Sequence, residues 1–158
     1  MSTPSYSVLF VCTANRCRSP MAEALLRLQV AAAGETGDWL IASAGTWAVD
    51  GQPAMPNTVA VMREWGVDLS HHRSRSLTPS LLQAFRLILA MTAGHQEALL
   101  TEFPECAPRL MLMSELIGRR FDILDPVTGP IEDYRNTARE LDKILRQGMP
   151  LLRRRARE

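Results

Sequence analysis

The stretch Val8-Leu9-Phe10-Val11-Cys12-Thr13-Ala14-Asn15-Arg16-Cys17-Arg18-Ser19-Pro20 changes character twice. Val8–Val11 is short, apolar, β-branched and aromatic, which predicts a buried strand. Cys12–Arg18 breaks that pattern and predicts a loop. Ser19-Pro20 then opens a helix, since Ser caps helix starts and Pro is favoured at the first helical position. Met21, Leu25, Leu28 and Ala32 recur at helical spacing, and Gly34 can end the helix. The order strand, loop, helix N-terminus makes the loop a candidate anion site.

Working outward, Leu40-Ile41-Ala42 reads as a second strand leading into Ser43-Ala44-Gly45-Thr46. A helix is predicted over about 57–65, and Thr78-Pro79 opens another by cap chemistry. Leu87–Ala90 predicts a third strand, followed by a helix across 96–101. Residues 109–113 predict a fourth strand, and 122–129 a loop rich in turn residues. The last helix begins near Pro130, with Ile131, Tyr134, Ala138, Leu141 and Leu145 on one stripe. Strands alternating with helices, and apolar on both faces, imply an α/β fold with a parallel sheet covered by helices. Ligands in such folds sit beyond the carboxyl ends of the strands, where the Cys12–Arg18 loop falls.

Composition bounds the rest. The chain has 158 residues, 18 Lys+Arg against 17 Asp+Glu, with 46% apolar and 22% charged. This predicts one globular domain over 1–158 with an ordinary core, not a disordered tail. The balanced charge argues against nucleic acid as a partner. No apolar run approaches the ~18 residues of a membrane span, and Val8–Val11 is too short for a signal peptide. The cytoplasm is therefore the default compartment, and three cysteines read there as free or catalytic thiols. Cys106 reads as structural. His71, His72 and His95 make no metal pattern. Arg153-Arg154-Arg155 and Arg157 make a basic tail, about 150–158, that reads as a solvated end.

The chemistry of the first loop follows from its residue types. Amides at a helix start point at anions, and a loop of this length can wrap them round a phosphate. Arg18 supplies a planar fork for two phosphate oxygens. The same positive field favours a thiolate at Cys12, placed for in-line attack on phosphorus and a cysteinyl-phosphate intermediate. A carboxyl group must then protonate the leaving oxygen and later activate water. Asp125, in its Pro- and Gly-bounded loop, is the candidate. Ser19 is placed to hydrogen-bond the departing thiolate.

The residues Cys12-Thr-Ala-Asn-Arg-Cys-Arg-Ser-Pro resemble the signature of the low-molecular-weight protein tyrosine phosphatases. Ser43-Ala44-Gly45-Thr46, His72-Arg73-Ser74-Arg75 and Asp125-Pro126-Val127-Thr128-Gly129 resemble further segments of that family, in the same order. The resemblance implies a four-stranded parallel sheet with helices on both faces and the phosphate loop, Thr13–Arg18, after the first strand. It implies Cys12 as nucleophile, Arg18 as phosphoryl ligand and Asp125 as acid then base. It implies that Asn15, Ser43 and His72 hold the loop in shape, and that Cys17 forms a reversible disulfide with Cys12; the alternative for Cys17 is a buried thiol that never reacts. No metal or cofactor is implied. The implied partner is a phosphorylated protein or peptide, with the enzyme a monomer or weak dimer.

Several positions depart from the family pattern. Ala14 replaces Gly, which costs strain if φ there is positive. Arg16 replaces an apolar pocket wall, or the Thr of the related protein-arginine phosphatases; it either attracts acidic peptides or points to solvent. Val127-Thr128 replace aromatic residues, leaving Trp47 as the expected aromatic wall. The expected activity is hydrolysis of phosphotyrosine on proteins. Hydrolysis of phosphoarginine stays close behind. Arsenate reduction is a distant third, because it needs Cys106 beside the loop.

Overall fold

A computed structural model describes residues 3–157. The elements run β1 (Tyr6–Cys12), α1 (Arg18–Ala32), β2 (Trp39–Gly45), α2 (Pro56–Glu64), α3 (Pro79–Gln83), β3 (Leu87–Ala90), α4 (Ala93–Glu102), β4 (Leu110–Leu112), α5 (Ile131–Gln147) and α6 (Met149–Arg157). All strand pairs are parallel, and the sheet order is β2-β1-β3-β4. The expected α/β architecture, a four-stranded parallel sheet in one domain, is therefore correct.

The residues of β1 explain why it is central. Val8, Leu9, Phe10 and Val11 are all fully buried. Their alternation sends Val8, Phe10 and Cys12 to one face, where Met21, Leu25, Leu141, Leu145 and Leu152 pack. Leu9 and Val11 face the other side with Leu82, Phe85, Leu99 and Cys106. Truncating Leu9 or Leu25 to Ala would cost about 2–5 kcal/mol. The chain leaves β1 toward β2, then returns across it to β3. The order therefore reverses at β1, and a crevice opens beyond its carboxyl end.

Three expectations needed correction. Helix α1 begins at Arg18, and Cys17 stands at its cap position with no side-chain cap bond. Ser19 is inside the helix because its hydroxyl is engaged in the loop. The buried stripe of α1 is Met21, Ala22, Leu25, Leu26 and Val30, whereas Leu28 and Ala32 are exposed. Apolar residues lie on most sides of this helix, so spacing alone does not select the face; packing against the sheet and α5 does. The basic tail is not a solvated end but α6. Its Leu152 and Ala156 are buried, and Arg153 pairs with Glu35 while lying over the stacked Tyr6 and Trp39 rings.

Candidate functional site

The loop after β1 folds as a bowl because a single residue reverses the chain. Asn15 has φ of 58° and is the one non-glycine residue with positive φ among those described. Asn tolerates this left-handed region better than most residues. Ala14 does not adopt positive φ, so the strain expected from losing Gly there is absent. Among the described residues, no acceptor receives a hydrogen bond from the amides of Thr13, Ala14, Asn15, Arg16, Cys17 or Arg18. An array of unengaged amides at a helix start is an anion receptor.

The bowl is pinned from outside. Asn15 is fully buried; its Nδ2 donates to Ser19 Oγ and Ser43 Oγ, both at 2.9 Å, and its Oδ1 accepts from the Arg75 amide at 3.0 Å. Its carbonyl accepts from His72 Nε2 at 2.7 Å. The Ser43 hydroxyl donates to Glu23 Oε1 at 2.6 Å. The register of β1 with β2 brings Cys12 opposite Gly45, and the Thr46 and Trp47 amides donate to the Cys12 and Thr13 carbonyls. A Cβ on Gly45 would lie 2.3 Å from the Thr13 carbonyl oxygen, so only glycine allows this approach. Asn15, Ser43 and His72 thus meet around the loop. Glu23, Arg75 and Gly45 complete the support. Gly45 and Arg75 lie in segments that carry the family resemblance, but their residue types alone reveal no such role; Glu23 sits on α1 and shows its role only through Ser43.

At the floor, Cys12 Sγ lies 2.9 Å from Ser19 Oγ. Arg18 is nearly buried; its Nη1 donates to the Ile123 carbonyl at 2.9 Å, and its Nη2 sits 3.5 Å from Asp125 Oδ2. Asp125 is 48% exposed, so this ion pair is loose and solvent-screened. A cavity of about 290 Å³ is lined by Cys12, Thr13, Ala14, Arg16, Cys17, Arg18, Met55, Asp125 and Val127. Loops from the two ends of the chain therefore converge on one sulfur. A larger cavity of about 450 Å³ opens between α1 and the Gly66–Leu69 turn, but no cysteine, serine or threonine lines it.

Of the two expected wall residues, Arg16 lines the cavity and Trp47 does not. Trp47 is 86% exposed and does not line the cavity. Met55 and Val127 supply the apolar wall instead; Met55 carries no sequence signal, since it arrives on a distant loop tied by its amide to the Arg16 carbonyl. Arg16 faces the cavity rim, with Nε donating to the Pro53 carbonyl at 2.7 Å.

The other thiols and histidines separate cleanly. Burial pushes the Cys17 thiol up to about 12, so it is protonated near neutrality. Cys106 is buried in the core on the opposite face of the sheet from Cys12, and burial raises its thiol too. His95 shows nothing in the sequence beyond its lack of metal partners, yet it reaches the loop. Its Nε2 lies 2.7 Å from Thr13 Oγ1, and burial, followed by the Arg18 charge, lowers the ring to about 4. Among the described residues, no cluster of three or more His, Cys, Asp or Glu could hold a metal, and no helix is long and apolar enough to cross a membrane.

Comparisons with known proteins point to one family. Residues 7–158 match the model of the low molecular weight phosphotyrosine protein phosphatases. A protein-arginine-phosphatase of Geobacillus stearothermophilus is 37% identical over 89% of this chain and 91% of its own. A low molecular weight protein-tyrosine-phosphatase of Streptomyces coelicolor is 40% identical over 79% of this chain and 80% of its own. The crystal structure of a low molecular weight protein tyrosine phosphatase from T. tengcongensis superposes with a TM-score of 0.87 at 39% identity, covering 92% of this chain and 99% of that one. With the match running from β1 to the last helix, the chain belongs to the low-molecular-weight phosphotyrosine protein phosphatase family.

Proposed function

We propose that the protein removes the phosphoryl group from phosphotyrosine on protein or peptide substrates, through a cysteinyl-phosphate intermediate. The observation that carries this reading is the run of amides from Thr13 to Arg18, unengaged among the described residues, in the loop that lines one cavity with Cys12. The amides and the Arg18 fork hold the phosphoryl oxygens. Arg18 is already aimed by the Ile123 carbonyl and exchanges its loose contact with Asp125 for the substrate. The Cys12 thiolate attacks phosphorus in line, the P–O bond to the tyrosine breaks, and the Asp125 carboxyl group delivers a proton to the leaving oxygen. Water then attacks the phosphorus with its proton passing to the Asp125 carboxylate. The S–P bond breaks, and the Ser19 hydroxyl stabilises the departing thiolate. Asn15, Ser43 and His72 hold the bowl in shape through both steps.

Phosphoarginine is the second reading, supported by the similarity to protein-arginine-phosphatases. Arg16 on the rim argues against it, because the leaving guanidinium would meet two fixed guanidinium groups, Arg16 and Arg18. Arsenate reduction is disfavoured because Cys106 lies across the sheet from Cys12. We assign the enzyme to the cytoplasm, where unpaired thiols persist, as a monomer or weak dimer.

The test is hydrolysis of an aryl phosphate by the wild type, Cys12→Ser and Asp125→Ala. Cys12→Ser has no turnover, and Asp125→Ala loses about 10²–10⁴ in kcat. Turnover by Cys12→Ser at the wild-type rate refutes the mechanism. Phosphotyrosine and phosphoarginine peptides, compared by kcat/KM, separate the two substrate readings.

A further inference from the structure

One part-buried polar chain reaches the bowl from the segment between β3 and α4 and has no part in the steps above. Thr92 caps α4: its Oγ1 accepts from the His95 amide at 3.1 Å. The same Oγ1 lies 3.0 Å from His95 Nδ1, and His95 Nε2 lies 2.7 Å from Thr13 Oγ1. His95 is 7% exposed, so its ring has little recourse to water. Thr13 lies on the cavity wall next to Cys12.

Proton counting along this chain favours one direction. The Thr92 oxygen already accepts from an amide and retains one proton of its own. Among the described residues, the atom within reach of that proton is Nδ1 of His95. The ring is neutral near pH 7, since burial and Arg18 oppose a charge while Asp122 and Asp125 are too weak a counterweight. A neutral ring that accepts at Nδ1 carries its proton on Nε2. With that tautomer Nε2 donates to Thr13 Oγ1, and among the described residues the Thr13 proton has no protein acceptor, on a side chain that lines the cavity. In the other tautomer, Thr13 would spend its proton on the ring and turn lone pairs toward an incoming anion.

We propose that His95 is a positioning residue. Held as the Nε2–H tautomer by Thr92, it fixes the Thr13 hydroxyl so that the hydroxyl donates into the cavity, adding a side-chain donor to the amide bowl. The proposal rests on the phosphatase reading for its consequence in turnover, but not for the tautomer itself. It makes α4, an element far from the loop in sequence, part of the apparatus that receives the phosphoryl group.

The experiment has two arms. In the first, ¹⁵N NMR of the wild-type imidazole reports the tautomer of His95 without any turnover. The Nε2–H form is expected, and an Nδ1–H or rapidly averaging ring overturns the proposal. In the second, aryl phosphate hydrolysis and vanadate inhibition are measured for Thr13→Val, His95→Leu, the double variant and two rescues. Thr13→Val lowers kcat/KM about tenfold and weakens vanadate by a similar factor. His95→Leu does the same, and the double variant loses no more than either single one. Thr13→Ser recovers most of the loss, and so does His95→Gln, which returns a donor near the position of Nε2. Losses that multiply, or Thr13→Val with wild-type vanadate inhibition, overturn the proposal. If His95→Leu fails to fold, Thr13→Val, His95→Gln and the NMR arm still decide it. A wild type inert toward aryl phosphates would refute the phosphatase reading instead, while the NMR arm would still judge the relay.

Discussion

Two arginine–carboxylate pairs sit at opposite poles of the sheet, and they are built to opposite ends. At the amino-terminal pole, Arg153 grips Glu35 through Nη1 and Nη2, 2.9 Å at the longer contact, and covers the stacked Tyr6 and Trp39 rings. At the carboxyl-terminal pole, Arg18 lies 3.5 Å from Asp125 and donates a short bond, 2.9 Å, to the Ile123 carbonyl. The first pair is closed: the charges neutralise each other, and the arrangement pins α6 to the fold. The second is left open. Arg18 is fixed in place but not consumed, and its partner carboxylate is half exposed, with Oδ1 held by the Val127 amide at 3.1 Å. The lesson is that aim and occupancy are separate properties. A backbone carbonyl can orient a guanidinium while leaving its charge for an incoming anion.

The contrast can be broken most forcefully at the open pole. Arg18→Lys keeps the positive charge but loses the planar fork and its contact to Ile123. It should lower kcat/KM toward an aryl phosphate about 10²–10³-fold, with little change in thermal unfolding. An Arg18→Lys enzyme with near wild-type kcat/KM would mean that charge alone suffices, and that the fork's aim counts for little.

A middle-sized effect sharpens the comparison through acidity. His95 has its folded-state value lowered to about 4 by burial and by Arg18, with Asp122 and Asp125 opposing. The unfolded ring titrates near 6.5. The unfolded chain therefore binds the proton first as pH falls. Stability is full above about pH 6.5 and declines progressively down to about pH 4, by roughly 3 kcal/mol. Denaturant midpoints measured from neutral to acidic pH should show this slope in the wild type and a flatter one in His95→Gln. An equal slope in both would assign the loss to other groups.

The smallest effect belongs to the closed pole. Arg153→Met removes the ion pair but retains a side chain over Tyr6 and Trp39. Its melting temperature should fall by about 2–4 °C, with kcat/KM unchanged. Loss of turnover without loss of stability would show that the two poles are coupled, and the division between an anchoring pair and a receiving pair would fail.

How much of this was legible in the residues alone varies with the distance over which a contact acts. The β1–loop–α1 unit is written within one short segment. A buried apolar run, a break and a helical periodicity each need only their neighbours to be recognised. Cys12, Arg18 and the Asp125 loop were accessible for the same reason. The face of α1 was not, because its apolar residues permit more than one packing. Nor was α6, whose arginines look solvated until Glu35, Tyr6 and Trp39 are brought beneath them. Trp47 was expected at the wall and stands outside it, its place taken by Met55 and Val127.

The sequence by itself determined the type of sheet, the place of the anion loop and the identity of the sulfur, the arginine and the acid proposed for the chemistry. Tertiary structure alone decided which distant groups hold them. Pairing of Cys12 with Gly45 sets Ser43 beside Asn15, and pairing of Val11 with Ala90 sets Thr92 and His95 beside Thr13. The physical reason is that parallel strands meet in register only after a crossover, so partners of a single hydrogen bond can lie 82 residues apart and leave no periodicity for a local reading to find.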